Sequence, residues 1–241
     1  MPYPYIVLFR IGPFSIFTFG IFMLIAFLLA IWFVLRRAKG KIEEDHIYNI
    51  SIISLIAGII GSRIAYILFN LQEFSSFYDY IAIWQGGMSF FGGFFLSLVG
   101  IWFYVKRKHL GFGEIADIFA PSLALGIAIT RIGGFLAGAN PGTATELPWA
   151  IAGTHPTALY HAAANFIIFF VLLRIEKSQL KEKFNAGYLF AAFLLFFSLE
   201  RFVDDFFRDY TSQATILAAR IVPLLLIAVA IFVFTKLRKK S

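Results

Sequence analysis

Residues 14–35 read FSIFTFGIFMLIAFLLAIWFVL, without one charged side chain, and are followed at once by RRAKGK at 36–41. An α-helix rises about 1.5 Å per residue, so such a run crosses the roughly 30 Å hydrocarbon core of a bilayer. It is too long for the apolar segment of a secretory signal, and no basic leader or small-residue cleavage site frames it. We read it as a retained membrane helix with a basic cluster at its cytoplasmic end.

The rest of the chain repeats this arrangement. Apolar runs recur at 47–69, 88–105, 115–136, 158–174, 187–207 and 214–235. Basic clusters at 36–41, 106–108, 174–183 and 236–240 follow the first, third, fifth and seventh runs. Seven crossings put all four clusters on one side, which the positive-inside rule makes cytoplasmic. Backbone in lipid must satisfy its own hydrogen bonds, so the runs are expected to be helices. The expected fold is an all-α polytopic membrane protein with seven transmembrane helices, N-terminus outside and C-terminus cytoplasmic. Residues 70–87 mix aromatic and polar groups without a basic residue and read as a short interfacial arm outside. Residues 137–157, rich in Gly, Pro and Thr, read as a small outer loop or cap. No repeat or low-complexity linker divides the chain, so 1–241 is expected to be a single integral membrane domain.

Composition agrees. The 241 residues are 60% hydrophobic and only 15% charged, which excludes an ordinary soluble domain. The net charge of +7 sits in loops beside apolar runs, so it points to no nucleic acid. Cysteine is absent, which excludes disulfides, a thiolate nucleophile and cysteine metal sites in this chain. Any reacting thiol must come from a substrate.

Six of the 21 basic residues escape the clusters, and all six are arginines: Arg10, Arg63, Arg131, Arg201, Arg208 and Arg220. A charge in a bilayer is expensive and usually marks a site. Counting from the inner ends of their runs, Arg63 and Arg131 stand about 24 Å up and Arg201 about 21 Å, and Arg220, about 6 residues below the outer end of its run, also lies about 21 Å up. Four guanidiniums at matched depth in the outer half fit a converging anion site, since the planar fork grips phosphate with two hydrogen bonds. Independent snorkelling is the alternative. Arg10 reads as an ordinary outer-interface residue.

The sixth run ends LERFVDDFFRD, which puts Arg201, Asp204, Asp205 and Arg208 on one helical stripe. Its carboxylates either neutralise the arginines or orient them toward a ligand; Glu200 falls off the stripe, toward another helix. Gly92 and Gly93 open the third run, and Gly133 follows Arg131 in RIGGF. Such glycines either offer backbone N–H groups to an anion or pack helices closely. His46 and His109 read as solvated. His155 reads as a proton carrier or a structural donor, and its i, i+6 spacing from His161 is not that of a metal pair. No metal and no cofactor are expected.

The ordered motifs GSRIAYILF (61–69), WQGGMSFFGG (84–93), DIFAPSLALGIAITRIGGF (117–135), HPTALYH (155–161) and ERFVDDFFR (200–208), after IGPFSIFTFG (11–20), resemble those of the prolipoprotein diacylglyceryl transferase family over nearly the whole chain. The resemblance implies a bacterial inner-membrane enzyme with its site in the outer half of the bilayer. It implies two partners, phosphatidylglycerol and a prolipoprotein signal peptide with a lipobox cysteine. The cysteine thiol attacks the glyceryl carbon of the lipid, a thioether forms, and glycerol-1-phosphate leaves. Arg131 and Arg201 match the family's essential arginines. Arg63, Tyr66, Asp205 and Arg208 match positions supporting the lipid site, to which we add Gly92, Gly93, Gly133, His155, Tyr160 and Arg220. The departures are Phe91 where the family often has a proposed His base, His161 at the acid after HPxxLY, Gly134 for Asn, Phe19 for Tyr, Asp205 for Glu, and Ala137 and Ala139 for Asn and Glu. His161 is therefore the candidate base, with His155 second. The alternatives are a catalytically altered or inactive relative that binds an anionic phospholipid or serves another acceptor, and a transporter or channel with an arginine filter. Apolar inner halves of the runs argue against the last.

Overall fold

The computed structural model describes residues 7–11, 14–74, 76–83, 87–138, 142–209 and 213–239. Trp84, Gln85, Gly86 and Ala139 lie outside the described residues, and of Arg10 and Phe91 the backbone alone is described. The chain is a helical membrane protein, with one departure at its start. Val7–Ile11 (β1) and Phe14–Phe17 (β2) pair as an antiparallel hairpin, so the first helix, α1, runs Thr18–Ala38 and begins four residues later than the apolar run. Gly12 and Pro13, turn-forming residue types, separate the two strands in sequence. At the other end of α1, Gly40 adopts φ +76°, and the N–H groups of Lys41 and Ile42 return to the Ala38 carbonyl at 2.8 and 3.0 Å. A glycine in the left-handed region stops the helix without strain.

Contacts gather the residues into two compact units, 35–112 and 1–34 with 113–241. In the first of these, α2 (Glu44–Phe69) packs against α4 (Phe90–Arg107), with the short α3 (Phe77–Ile81) between them in sequence. Side chains at Gly61 and Gly92 would collide with the facing helix, including its backbone, and one at Gly93 would meet Gly58. Only glycine lets these two helices approach so closely, and dispersion between them replaces the hydrophobic drive that lipid removes. Ser97 Oγ donates to the Ser54 carbonyl across the crossing at 2.8 Å. His46, expected to be solvated, instead pairs through Nδ1 with the Tyr104 hydroxyl at 2.8 Å.

The larger unit holds the hairpin, most of α1, α5 (Phe112–Leu136), α6 (Thr157–Glu176), α7 (Leu180–Lys183), α8 (Tyr188–Asp204) and α9 (Gln213–Leu237). Its core joins Ala120 and Ala124 of α5, Ile168, Phe169 and Leu172 of α6, and Leu189, Ala192 and Phe193 of α8. Small alanines on α5 leave room for the aromatic rings of its neighbours. The start of α8 follows Gly187 (φ +105°), and the Asp117 carboxylate of α5 accepts the N–H groups of Gly187 and Phe190. Those N–H groups would otherwise be orphans of the first helical turn.

Leu24, Leu28, Phe95, Phe170 and Leu225 are each more than half exposed, as lipid-facing side chains are. Among the described residues, five helices are long and apolar enough to cross a membrane: α1, α2, α5, α6 and residues Ala219–Leu237 of α9. The 18-residue α4 ends in Lys106 and Arg107, and the 17-residue α8 carries Glu200, Arg201 and Asp204. Apart from the first, each helix begins and ends within three residues of its apolar run.

Candidate functional site

Most of the buried polar residues described in the larger unit lie on α6 or toward the end of α8. His161 and Asn165 stand one turn apart on α6, a spacing that puts both on one face. Both are fully buried, at 1% and 0% exposure. Glu200 of α8 faces them, and its Oε1 is hydrogen-bonded to His161 Nδ1. Asn165 Nδ2 donates to the His161 carbonyl at 2.8 Å and stays 3.5 Å from Nδ1, too far to compete with the carboxylate. Among the described residues His161 Nε2 and Glu200 Oε2 are buried without a hydrogen-bond partner.

One residue along α8, Arg201 reaches Asp204 with Nη1 at 3.3 Å and Asp205 with Nη2 at 3.8 Å. Both carboxylates are buried. The sequence left open whether the Arg201–Arg208 stripe pairs with itself; Arg201 does so with both aspartates. Arg131 of α5 lies in the electrostatic reach of Arg201, Arg208, Glu200 and Asp204. Its guanidinium makes no hydrogen bond or ion pair among the described residues. Three cations and three carboxylates therefore share the site, and one of the cations, Arg131, has no direct partner among the described residues. His161, Glu200 and Asp204 also offer ligand atoms within 4.8 Å of one another. The three nearby guanidiniums disfavour a divalent cation there, because they already balance the carboxylates.

An apolar groove of about 230 Å³, lined by Ala164, Ile167, Ile168, Val171, Phe196 and Glu200, runs along α6 and α8. Glu200 is its one charged wall among the described residues.

Residues 6–236 match the sequence profile of the family described as Prolipoprotein diacylglyceryl transferase. The chain belongs to the prolipoprotein diacylglyceryl transferase family. It is 32% identical, over 90% of its length and 88% of the relative's, to the phosphatidylglycerol–prolipoprotein diacylglyceryl transferase of Geobacter sulfurreducens. The proteins of the same name from Dechloromonas aromatica (30% identity, 98% of this chain, 96% of the relative) and Coxiella burnetii (31%, 88% and 85%) are similar over comparable spans.

Within this family member, the other expected site residues fall as follows. His155 Nδ1 and the Tyr160 hydroxyl lie 3.2 Å apart, Trp149 Nε1 donates to that hydroxyl at 2.7 Å, and Phe207 packs against both rings. These contacts bind residues 142–157 to the end of α8. Thr143 N–H donates to the Phe207 carbonyl at 2.8 Å, and Gly142 bridges Arg208. A side chain at Gly142 would run into the carbonyls of His155 and Phe207. Arg220 is exposed, with its guanidinium carbon 5.0 Å from the centre of the Phe206 ring. Gly133 lies against Phe22, where α1 and α5 approach closely.

In the smaller unit, Arg63 is buried and its fork is spent on backbone. Nε donates to the Tyr80 carbonyl at 3.2 Å, Nη1 to Gly87 at 2.9 Å, and Nη2 to Asp79. Asp79, Tyr80 and Gly87 of the arm are thereby tied to α2. Tyr66 lies beside Gly87 and stacks edge-on to Phe74. Gly92 and Gly93 occupy the crossing of α2 and α4.

Sequence reading missed Asn165 and the partner of Glu200. The available signal was an Asn and a His at i, i+4 inside an apolar run.

Proposed function

We propose that this chain transfers the diacylglyceryl group of phosphatidylglycerol to the lipobox cysteine of prolipoproteins. The observation that carries this reading is Arg131, a guanidinium on a membrane helix with no ion pair among the described residues, beside Arg201 and Arg208. Arg131 and Arg201 bind the lipid phosphate, and Arg208 adds to the field. The acceptor sulfur attacks the glyceryl carbon, the S–C bond forms, and the C–O bond to phosphate breaks. The electron pair leaves on glycerol-1-phosphate, where the arginines stabilise the developing charge. The thiol proton goes to His161, since the thiolate is the effective nucleophile. Asp205 orients Arg201. His155 and Tyr160 hold the cap, Gly133 admits α1, and Arg220 meets the headgroup layer. Arg63, Tyr66, Gly92 and Gly93 act within their own unit, where they shape the arm and the helix pair.

In this reading the chain is one integral membrane domain of seven crossings in the bacterial inner membrane. Its N-terminus is outside, its C-terminus is cytoplasmic, and its site lies in the outer half of the bilayer. It needs no metal and no cofactor, and it has no nucleic-acid partner.

Purified protein, phosphatidylglycerol and a lipobox peptide test the proposal by mass spectrometry. The expected result is a gain of one diacylglyceryl group on the cysteine, lost in Arg131→Ala and Arg201→Ala. Phe91, which brings no proton acceptor to the motif that often carries His, favours a second reading: a relative that binds anionic phospholipid but does not transfer, or that serves another acceptor. Lipid binding without thioether formation would establish that second reading.

A further inference from the structure

We propose that Glu200 is a positioning residue for His161, holding the imidazole in the tautomer whose Nε2 accepts the substrate proton. The proposal rests on the transfer reaction above. It begins with a hydrogen bond that the sequence does not announce. His161 sits on α6 and Glu200 on α8, and the two are joined through Nδ1 and Oε1. An ionised Glu200 can only accept, and with Glu200 in that form the shared proton belongs to Nδ1. A neutral imidazole carries one proton, and Nε2 is then left with its lone pair.

The surroundings fix this arrangement. Asn165 grips the His161 backbone carbonyl from one turn away, and the Phe197 ring lies 5.8 Å from the imidazole. The imidazole is fully buried, yet Nε2 has no hydrogen-bond partner among the described residues. A buried polar atom without a partner is costly, and native structures rarely keep one without a use. A proton arriving with the substrate gives this atom its use.

In the reaction the thiol proton moves to Nε2 as sulfur bonds to the glyceryl carbon. The C–O bond breaks, and its electron pair departs with the phosphate. His161 is now an imidazolium, and Glu200 faces its positive charge through the Nδ1–H bond. No further reactant is needed. Arg201, the next residue on α8, is held by Asp204 and Asp205. Adjacent positions of one helix thus serve the two ends of the reaction, Glu200 the proton acceptor and Arg201 the leaving group. The apolar groove along α6 and α8 reaches Glu200, the hydrogen-bond partner of His161.

The test compares wild type with Glu200→Gln and Glu200→Asp. Glutamine keeps the shape but accepts more weakly, and it provides no charge. The expected result is a fall in kcat of about 100-fold for Glu200→Gln, with KM for phosphatidylglycerol unchanged. Glu200→Asp should recover part of it. Nitrogen NMR of labelled histidine should show His161 protonated at Nδ1 in wild type and a mixture of tautomers in Glu200→Gln. Unaltered melting of Glu200→Gln in micelles should accompany the loss. Full activity in Glu200→Gln beside an active wild type would overturn the positioning role and leave the transferase reading intact. A wild type protonated at Nε2 would do the same. A wild type that binds lipid and transfers nothing would overturn both.

Discussion

The Asp117 carboxylate on α5 accepts the backbone N–H of Gly187 at 2.7 Å, one residue before α8 begins. Its second oxygen takes the N–H of Phe190 at 2.9 Å. A residue from a different helix thus does the work of an N-cap and places a negative charge at the positive end of the α8 dipole. Asp117→Ala should destabilise the protein by about 1–2 kcal/mol. Thermal unfolding in detergent measures it, and an unchanged midpoint would contradict the capping role.

Arg131→Lys distinguishes a fork from a point charge. Lysine keeps the positive charge but cannot offer two parallel N–H bonds to a phosphate. Transfer to a lipobox peptide should fall about 100-fold or more, in the range seen when one stabilising donor is removed from an enzyme. Near-normal rates in Arg131→Lys would show that charge alone suffices.

Arg63 should behave differently. Its donors go to the carbonyls of Tyr80, Gly87 and Asp79, so its loss should free the arm and leave α2 folded. Hydrogen exchange should quicken across residues 71–83 in Arg63→Ala. If that segment keeps its protection, the clamp is not what holds it.

Sidedness can be read across a single helix. The chain has no cysteine of its own, so an introduced one is the sole target of a maleimide. Glu146→Cys and Lys177→Cys flank α6, and both positions are exposed. An impermeant reagent should label the first in intact cells and the second only after permeabilisation. Labelling of both from one side would remove α6 as a crossing.

The helices were legible because lipid removes competing signals: an apolar run as long as 115–136 has few folds open to it. The hairpin at the start was not legible. Phe14, Ile16 and Phe17 are as apolar as the helix they precede, and hydrophobicity alone cannot tell a strand from a helix in such a run. The site was legible in part. Arg131, Arg201 and Arg208 stood out because arginine is costly in a membrane. What Glu200 touches depends on how α6 and α8 rotate against each other, and spacing along one helix does not encode that. Arg63 met the same limit from the other direction: its charge was visible, but the backbone carbonyls it serves carry no mark in the sequence.

The bridge between Gly142 and Arg208 makes the cap and the end of α8 a single mechanical piece. Thr143 holds the Phe207 carbonyl with both its N–H and its hydroxyl, immediately before Arg208. Residues 142–157 therefore cannot lift without dragging the backbone that carries a guanidinium of the site. The movement of this segment and the reach of Arg208 are geared together, and loosening one loosens the other.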